Sequence, residues 1–591
     1  MPNIPRGEHP RPQMTRESWL SLNGEWSYRI SWMPILQGGV LRAPHRRWSE
    51  KPPEGPYPDK ITVPYAPESK LSGVEYPDFI DHIDYHRKFT IPSQWKERRI
   101  FLRFGGIDFH ADVYVNGTRA GSHSGGSSPF KIDITRFAVP GAEADLNIAV
   151  RDFISSGDQG GGKQTHYAKS CGCFYTRTTG IWQTVWVEAV RPGGIEDTQY
   201  FPDAESGGVT IVPQFLLPEG DGEFIIRLRA DIDSENVVSE VRGACRNGRP
   251  YRLTVPNPEL WMPGSPKLYG LDLLVVRKGE EIDRVRSYFG LRDVSCRSGK
   301  VCLNGEPVFL RFVLDQGFYP DGVWTAPSDQ DLKRDIELSM AAGFNGARLH
   351  QKVFEDRFHY WADRLGYLTW AEWPSWGFDY NDYKAARTFM SEVSETVAYL
   401  RNHPSIIGWT PHNETWDFIN PRAHELNHDD AYRLCKAADP TRPVNGASGS
   451  IHHLTDLYTA HLYDGDGEVL AEKLGSAEDP FRNLADVSAP VEGQPYIVDE
   501  FGGIRWTGKQ EDGSGNSWGY GDTPETEDGF FRRLHSLIDV LNSREFVAGW
   551  CYTQLTDVEQ EQNGVYYYSR KPKFPAERLR ECFSKNPPGY K

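Results

Sequence analysis

Residues 406–418 read IIGWTPHNETWDF. An apolar run of strand length, Ile406-Ile407-Gly408-Trp409, ends abruptly on Pro411-His412-Asn413-Glu414. An ionised carboxylate taken out of water costs several kcal/mol or more unless it is paired or hydrogen-bonded, so a strand that finishes on an amide and a carboxylate needs a reason. The same design recurs along the chain after residue 300. VFLRFVL, FNGARLH, GYLTWAE, IIGWTPHNE, RPVNGAS, LYTAHLY, PYIVDEF and FVAGWCYTQ are eight runs that read as strands. Between them SDQDLKRDIELSMAAG, FEDRFHYWADRLG, YKAARTFMSEVSETVAYLRNH and TEDGFFRRLHSLIDVLNSR have helical spacing and N-cap candidates. Eight strand–helix units in roughly 290 residues are the arithmetic of a (β/α)8 TIM barrel.

Upstream of residue 300 the helical period disappears. DYHRKFTIP, RRIFLRFGGI, ADVYVNGTRAGSHSG, ADLNIAVRDF and TVWVEAV are short strand-like runs, and Asn116-Gly117 is the strongest hairpin signal in the chain. Residues 1–190 therefore read as an N-terminal jelly-roll-like sandwich. GVTIVPQFLL, EFIIRLRADI, YRLTVPNPELW and LYGLDLLVVR make residues 191–297 a second all-β unit of immunoglobulin-like size. The barrel takes residues 298–591. A chain of 591 residues is too long for one core, which agrees with such a division.

Composition narrows the class. A net charge of −16 with no basic run excludes a nucleic-acid backbone as the expected partner. No run of about 18 apolar residues is present, so no membrane span is expected. The segment MPNIPRGEHPRPQM shows no apolar core or cleavage site of a secretion signal. With eight scattered Cys, reduced thiols and a cytoplasmic location are the expectation. Aromatics are abundant, with 18 Trp, 28 Tyr and 29 Phe; aromatic faces stack on the C–H groups of sugars, although sandwich and barrel cores also use them.

A TIM barrel places its chemistry at the carboxyl ends of its strands. Strand 1 ends near Asp315-Gln316, strand 2 at Arg348 and His350, and strand 3 at Glu372. Strand 4 ends at Asn413-Glu414, strand 6 at His461 and Tyr463, strand 7 at Asp499-Glu500, and strand 8 carries Trp550 and Tyr552. One such end alone is explained as a satisfied buried polar group; seven on one mouth are not. Carboxylates on strands 4 and 7 face each other across a mouth, which fits glycoside hydrolysis with retention and a separation of roughly 5–5.5 Å. Glu414, flanked by Trp409 and Trp416, is expected to have a raised pKa and to serve as acid/base. Glu500, close to Arg348, is expected to stay ionised as the nucleophile. Asp499 is its rival, since adjacent strand residues alternate faces.

The order of motifs resembles glycoside hydrolase family 2, the family of β-galactosidases, β-glucuronidases and β-mannosidases. LNGEW (22–26), VYVNGTRAGSHSGG (113–126), YTRTTGIWQTVW (175–186), WMPGSPKLYGLDL (261–273) and FGLRDV (289–294) carry the likeness in the β-domains. LNGEPVFLRFV (303–313), FNGARLH (344–350), HNE (412–414) and VDEFG (498–502) carry it in the barrel. The resemblance implies Glu414 as acid/base, Asn413 on the sugar 2-hydroxyl, Glu500 as nucleophile and an exo-acting pocket. Arg348, His350, Glu372, Asp315, His461, Tyr463, Trp506 and Trp550 are expected to line it, with no metal and no cofactor. GDQGGGKQ (157–164) has Gly where many members carry the Arg of an Arg-Gly-Lys-Gln loop. The Asn-x-Lys-Gly motif that holds a uronate in β-glucuronidases is missing from EQEQNGVYYYSRKPKF, so a glucuronidase is not expected.

The resulting expectation is a retaining exo-glycosidase acting on a terminal non-reducing β-galactose-type residue, as galactopyranoside or galactofuranoside. The alternatives are an α-L-arabinofuranosidase, a β-mannosidase or another family 2 exo-glycosidase, and then a non-catalytic carbohydrate-binding protein. The partner is an oligosaccharide or glycoside, and a homo-oligomer is compatible with the chain. Two motifs are set aside. His424-Glu-Leu-Asn-His428 fits a zinc signature but has polar flanks. The glycine run before Lys163 lacks the Ser/Thr of a P-loop and has no βαβ unit around it.

Overall fold

Asn116 and Gly117 join strand His110–Val115 to strand Thr118–Ser124, and both have positive φ, 50° and 77°. This is the type I′ geometry whose twist matches a two-residue hairpin. In the computed structural model, which describes residues 4–32, 51–216, 222–415, 419–508 and 517–590, the hairpin edges a six-stranded antiparallel sheet. Its order is Asp59–Val63, Gly24–Ser31, His82–Thr90, Glu143–Arg151, His110–Val115, Thr118–Ser124. A four-stranded sheet of Trp19–Ser21, Val185–Val190, Arg99–Phe104 and Phe130–Asp133 covers it. Alternate residues such as Trp26, Tyr85, Ile100, Leu102, Val113, Leu146 and Val187 meet in the shared core.

The second sandwich pairs a three-stranded sheet (Ile195–Asp203, Gly208–Phe215, Tyr251–Thr254) with a four-stranded one (Val237–Ala244, Gly222–Arg229, Leu268–Arg277, Glu280–Gly290). Ile211, Phe224, Leu253, Leu271 and Phe289 fill the space between. Seven strands in two antiparallel sheets match the immunoglobulin-like expectation.

The barrel strands are β1 (Leu310–Asp315), β2 (Gly346–Leu349), β3 (Leu368–Glu372), β4 (Ile406–Thr410), β5 (Ala447–Ser448), β6 (Tyr458–Leu462), β7 (Tyr496–Gly502) and β8 (Val547–Thr553). Seven form one parallel sheet in the order β4-β3-β2-β1-β8-β7-β6. Pro411 cannot donate to a ladder, and beyond it the chain resumes as His412–Asn413, which pairs in parallel with β5. Thr459 Oγ1 accepts from Gly449 N at 3.2 Å and from Asn445 Nδ2 at 3.3 Å, tying the β5 segment to β6.

Among the described residues, seven helices cover the outside: α1 (Asp329–Ala342), α2 (Asp356–Leu365), α3 (Tyr383–Leu400), α4 (Pro421–Ala438), α5 (Gly467–Leu474), α6 (Glu527–Asn542) and α7 (Ala576–Phe583). Their caps are of the expected kind: Ser328 accepts from Asp331 N before α1, and Thr526 accepts from Gly529 N before α6. Among the described residues β5 is followed by no helix, so the eight strands carry seven helices.

One loop of the first sandwich reaches the barrel mouth. Gly161 N and Gly162 N donate to the Trp376 carbonyl at 2.7 and 3.0 Å. A Cβ at Gly160 would run into the Pro374 carbonyl, and one at Gly162, whose φ is +58°, into that of Gln351. The glycine run is thus a close-approach surface, and it delivers Lys163 to the mouth.

Candidate active site

The ends of β2, β3, β4 and β7 converge on one guanidinium. Arg348 is fully buried, which is tolerable only when its charge is paired and its donors are used. Nε bonds Glu372; Nη1 donates to Glu500 Oε1 at 2.8 Å and to the Asp499 carbonyl at 3.2 Å; Nη2 donates to Asn413 Oδ1 at 2.5 Å. Burial pulls the Arg348 pKa down, but Glu372, Glu500 and Asp499 together carry it well above its ordinary value.

Glu500 receives a second donor on its other oxygen, Tyr463 OH at 2.5 Å, and His461 Nδ1 stands 3.4 Å away. Burial pushes this carboxyl up, but His461, Arg348, Lys163 and the Tyr463 hydrogen bond outweigh it and hold it at about 2. The ladder of β7 is irregular between Val498 and Phe501, and such a bulge suspends the alternation of faces. Both Asp499 and Glu500 consequently approach Arg348, Asp499 Oδ2 at 3.9 Å, where simple alternation admitted only one. Their surroundings differ: Asp499 is fully buried and accepts from Ser448 Oγ at 2.6 Å.

Glu414 follows the His412–Asn413 extension with φ +39°, anchored by its N–H to the Ser448 carbonyl at 2.9 Å. Its side chain is one-fifth exposed, and Oε1 lies 2.5 Å from His461 Nδ1. One carboxylate oxygen of Glu414 and one of Glu500 lie within 4.8 Å of each other. That is far short of the roughly 6.5–9.5 Å that inverting hydrolysis needs for its water and near the about 5–5.5 Å of retention. Glu414, His461 and Glu500 are also close enough to share a cation; the His461–Glu414 hydrogen bond already accounts for that spacing, and we assign none of them as a metal ligand.

Among the described residues, Asn413 Nδ2 and His350 Nε2 are buried at the mouth without a hydrogen-bond partner. Arg348 fixes the Asn413 amide by its oxygen, and Glu372 Oε2 holds His350 Nδ1 at 2.8 Å, so both orphans point away from the protein's own partners. Buried orphans cost about 1–3 kcal/mol each, a cost that a hydroxylated ligand would remove. Burial, Arg348 and Lys163 push the His350 pKa far down, so its ring is neutral.

The opposite wall comes from elements that strand-end reasoning missed. Tyr520 stacks on Tyr463 with centroids 3.5 Å apart. Tyr175, from the first sandwich, donates to Glu561 Oε2 at 2.5 Å, and Asn563 Nδ2 donates to Oε1 at 3.0 Å. Lys163 lies over the Trp376 ring at 4.1 Å. Burial lowers its pKa, but Cys173, Glu561, Glu500 and Glu414 raise it above the ordinary value, so it is an ammonium. Of these residues, Lys163 lies in the 157–164 loop that the family resemblance singles out; no local signal marks Glu561, because two domains must assemble to bring it to Tyr175.

Other expected pocket residues are placed elsewhere. Trp550 faces the helix layer, donates to Asn542 Oδ1 at 3.0 Å and packs with Phe309, Phe344 and Phe501. Trp506 packs on Phe530 and Phe574. Asp315 accepts from Gly317 N at 2.9 Å and is pushed up to about 7 by burial and Asp335, apart from the Arg348 network. Trp409 donates to Asp439 behind the barrel wall and does not flank Glu414; Trp416 lies outside the described residues. His424 and His428 are buried, not on a polar surface as their flanks suggested, and their rings stack at 4.0 Å.

Three family models match the chain: "Glycosyl hydrolases family 2, sugar binding domain" over residues 56–160, "Glycosyl hydrolases family 2" over 210–292, and "Glycosyl hydrolases family 2, TIM barrel domain" over 294–504. A β-glucuronidase of Paenibacillus borealis is 25% identical over 97% of this chain and 97% of its own. Among solved structures, the β-D-glucuronidase of Dictyoglomus thermophilum superposes with a TM-score of 0.76 at 23% identity, covering 98% of this chain and 99% of that one. The Ruminococcus gnavus β-glucuronidase in complex with D-glucuronic acid gives a TM-score of 0.76 at 20% identity, covering 98% and 99%. The curated relatives overturn the galactose-type expectation and the exclusion of a glucuronidase on one missing motif.

Proposed function

The chain belongs to glycosyl hydrolases family 2 and is a glycoside hydrolase, and on that premise we propose that it is a retaining exo-glycosidase whose favoured substrates are β-linked uronides. The observation that carries the mechanism is the Glu414–Glu500 pair, within 4.8 Å across the mouth, with Glu500 held ionised. Glu500 attacks the anomeric carbon while Glu414 protonates the departing oxygen. Water, deprotonated by Glu414, then releases the sugar from the glycosyl-enzyme ester. The Asn413 amide N–H meets the 2-hydroxyl, where hydrogen bonds that tighten in the transition state lower the barrier. Arg348 and Tyr463 act on Glu500 as paired donors, stabilising the carboxylate that re-forms when the ester breaks.

Two observations support a uronide. Relatives matching 97% and 95% of the chain are β-glucuronidases, and the Lys163 ammonium stands among the pocket carboxylates with the charge a sugar carboxylate requires. One observation favours a neutral sugar instead, as in a mannoside or arabinofuranoside: Glu561 already sets a negative charge beside Lys163. Nitrophenyl β-glucuronide, β-galacturonide, β-mannoside, β-glucoside and α-L-arabinofuranoside separate the readings. Turnover concentrated on a uronide is expected. Turnover confined to a neutral sugar would transfer the assignment to the second reading.

A further inference from the structure

Ser448, at the end of β5, sits between a carboxylate and an imidazole. Its Oγ donates to Asp499 Oδ2 at 2.6 Å and lies 2.9 Å from His461 Nε2. A hydroxyl has a single proton; with that proton on Asp499, Oγ can only accept, so Nε2 carries an N–H. The ring is thereby locked with Nδ1 turned to Glu414 Oε1 at 2.5 Å, and to Glu500 Oε2 at 3.4 Å. A contact of that length between a carboxyl oxygen and an imidazole nitrogen is a charge-assisted hydrogen bond with one proton between the two atoms.

We propose that the proton delivered to the leaving oxygen is held jointly by Glu414 and His461, with His461 the positioning residue that sets the alkaline limit of glycosylation. The inference rests on Glu414 being the acid. As the glycosidic C–O bond breaks and Glu500 bonds the anomeric carbon, the shared proton passes to the departing oxygen. Glu414 is then a carboxylate and His461 a neutral ring with its N–H on Nε2. In the second half, water adds to the anomeric carbon, its proton returns to the Glu414–His461 pair, and the electrons of the ester bond return to Glu500.

The surroundings of His461 favour this sharing. Glu414 faces it from the β4 extension and Glu500 and Asp499 from β7, and these three carboxylates outweigh Arg348 of β2, whose Nη1 lies 3.5 Å from Nε2. His350 and His452 complete the charged and titratable neighbours. Burial lowers the imidazole pKa, but Glu500, Glu414 and Asp499 lift it to about 8.

The test compares kcat/KM against pH for the wild-type enzyme and His461→Gln on two glycosides of the sugar it turns over. One is an alkyl glycoside that needs a proton, the other a dinitrophenyl glycoside that does not. The wild-type alkaline limb on the alkyl glycoside is expected near pH 8. In the variant it should fall to lower pH, and the loss at pH 8 and above, about tenfold for each unit by which the limb moves, should be larger on the alkyl glycoside than on the dinitrophenyl glycoside. An unmoved limb, or equal losses on both substrates, would mean that His461 merely supports Glu414 and would overturn the proposal. Ser448→Ala removes the acceptor that locks Nε2–H and should shift the limb the same way by less. If His461→Gln does not fold, an unmoved limb in Ser448→Ala overturns the proposal alone. A wild-type enzyme silent on every glycoside would refute the functional reading itself, a different outcome from an active enzyme with an unmoved limb.

Discussion

At the scale of the residue, the site is an exercise in keeping one carboxylate charged. Arg348 is useful because its fork meets Glu372, Glu500 and Asn413 in one plane, which an ammonium could not do. Tyr463 adds a donor to the oxygen of Glu500 that Arg348 leaves free. A hydrogen bond to a charged group is worth about 1.5–3 kcal/mol, and this one acts most strongly when Glu500 leaves the glycosyl-enzyme as a carboxylate. Tyr463→Phe should therefore slow the breakdown of the intermediate about 10- to 100-fold while the melting temperature hardly moves. Stopped-flow measurement with an activated aryl glycoside should show a burst of phenolate before a slow steady state; a slow phase with no burst would place the effect on the first step instead.

At the scale of the element, polar strand ends were the legible signal. Arg348, His350, Glu372, Asn413, Glu414, His461, Tyr463 and Glu500 interrupt apolar runs, and the structure gathers all of them at one mouth. The same reading misplaced Trp550, since it gave an aromatic at a strand end no face; on β8 the barrel interior takes Cys551, and Trp550 packs outward. The partners of the glycine run before Lys163 were illegible for another reason. Its glycines answer to Pro374, Trp376 and Gln351, more than 180 residues away in sequence. Gly160→Ala should push the loop off the Pro374 carbonyl and carry Lys163 with it. The expected result is a rise in KM for a uronide of about tenfold, the order of one weakened charged hydrogen bond, with kcat/KM on any neutral glycoside nearly unchanged. Equal losses on charged and neutral substrates would contradict the role given to Lys163.

At the scale of the whole molecule, the three-layer plan of two sandwiches and a barrel was readable from periodicity alone, because Asn116-Gly117 and the alternation after residue 300 are local signals. The seams between domains were not, and one of them holds a buried acid. Glu392 on α3 accepts from Ser127 N of the first sandwich at 3.1 Å and is 2% exposed. Burial raises its carboxyl to about 8, so the folded chain keeps a proton that the unfolded chain releases above its ordinary value of 4.5. Its contribution to stability is full below that ordinary value and is lost as pH rises through about 8. Each pH unit in that window removes up to about 1.4 kcal/mol. Glu392→Gln, neutral at every pH, should melt with a shallower decline between pH 6 and 8.5 than the wild type in calorimetry; parallel declines would place the charge elsewhere.

These scales meet in the claim that Glu414 and Glu500 divide a double displacement between them, and rescue of the two alanine variants by azide tests it most directly. Glu500→Ala should be inactive until azide replaces the missing nucleophile and then yield the glycosyl azide of inverted configuration. Glu414→Ala, still able to form the glycosyl-enzyme from an activated substrate, should yield the azide with configuration retained. Rescue with inversion in Asp499→Ala, or full activity in either glutamate variant, would contradict the account.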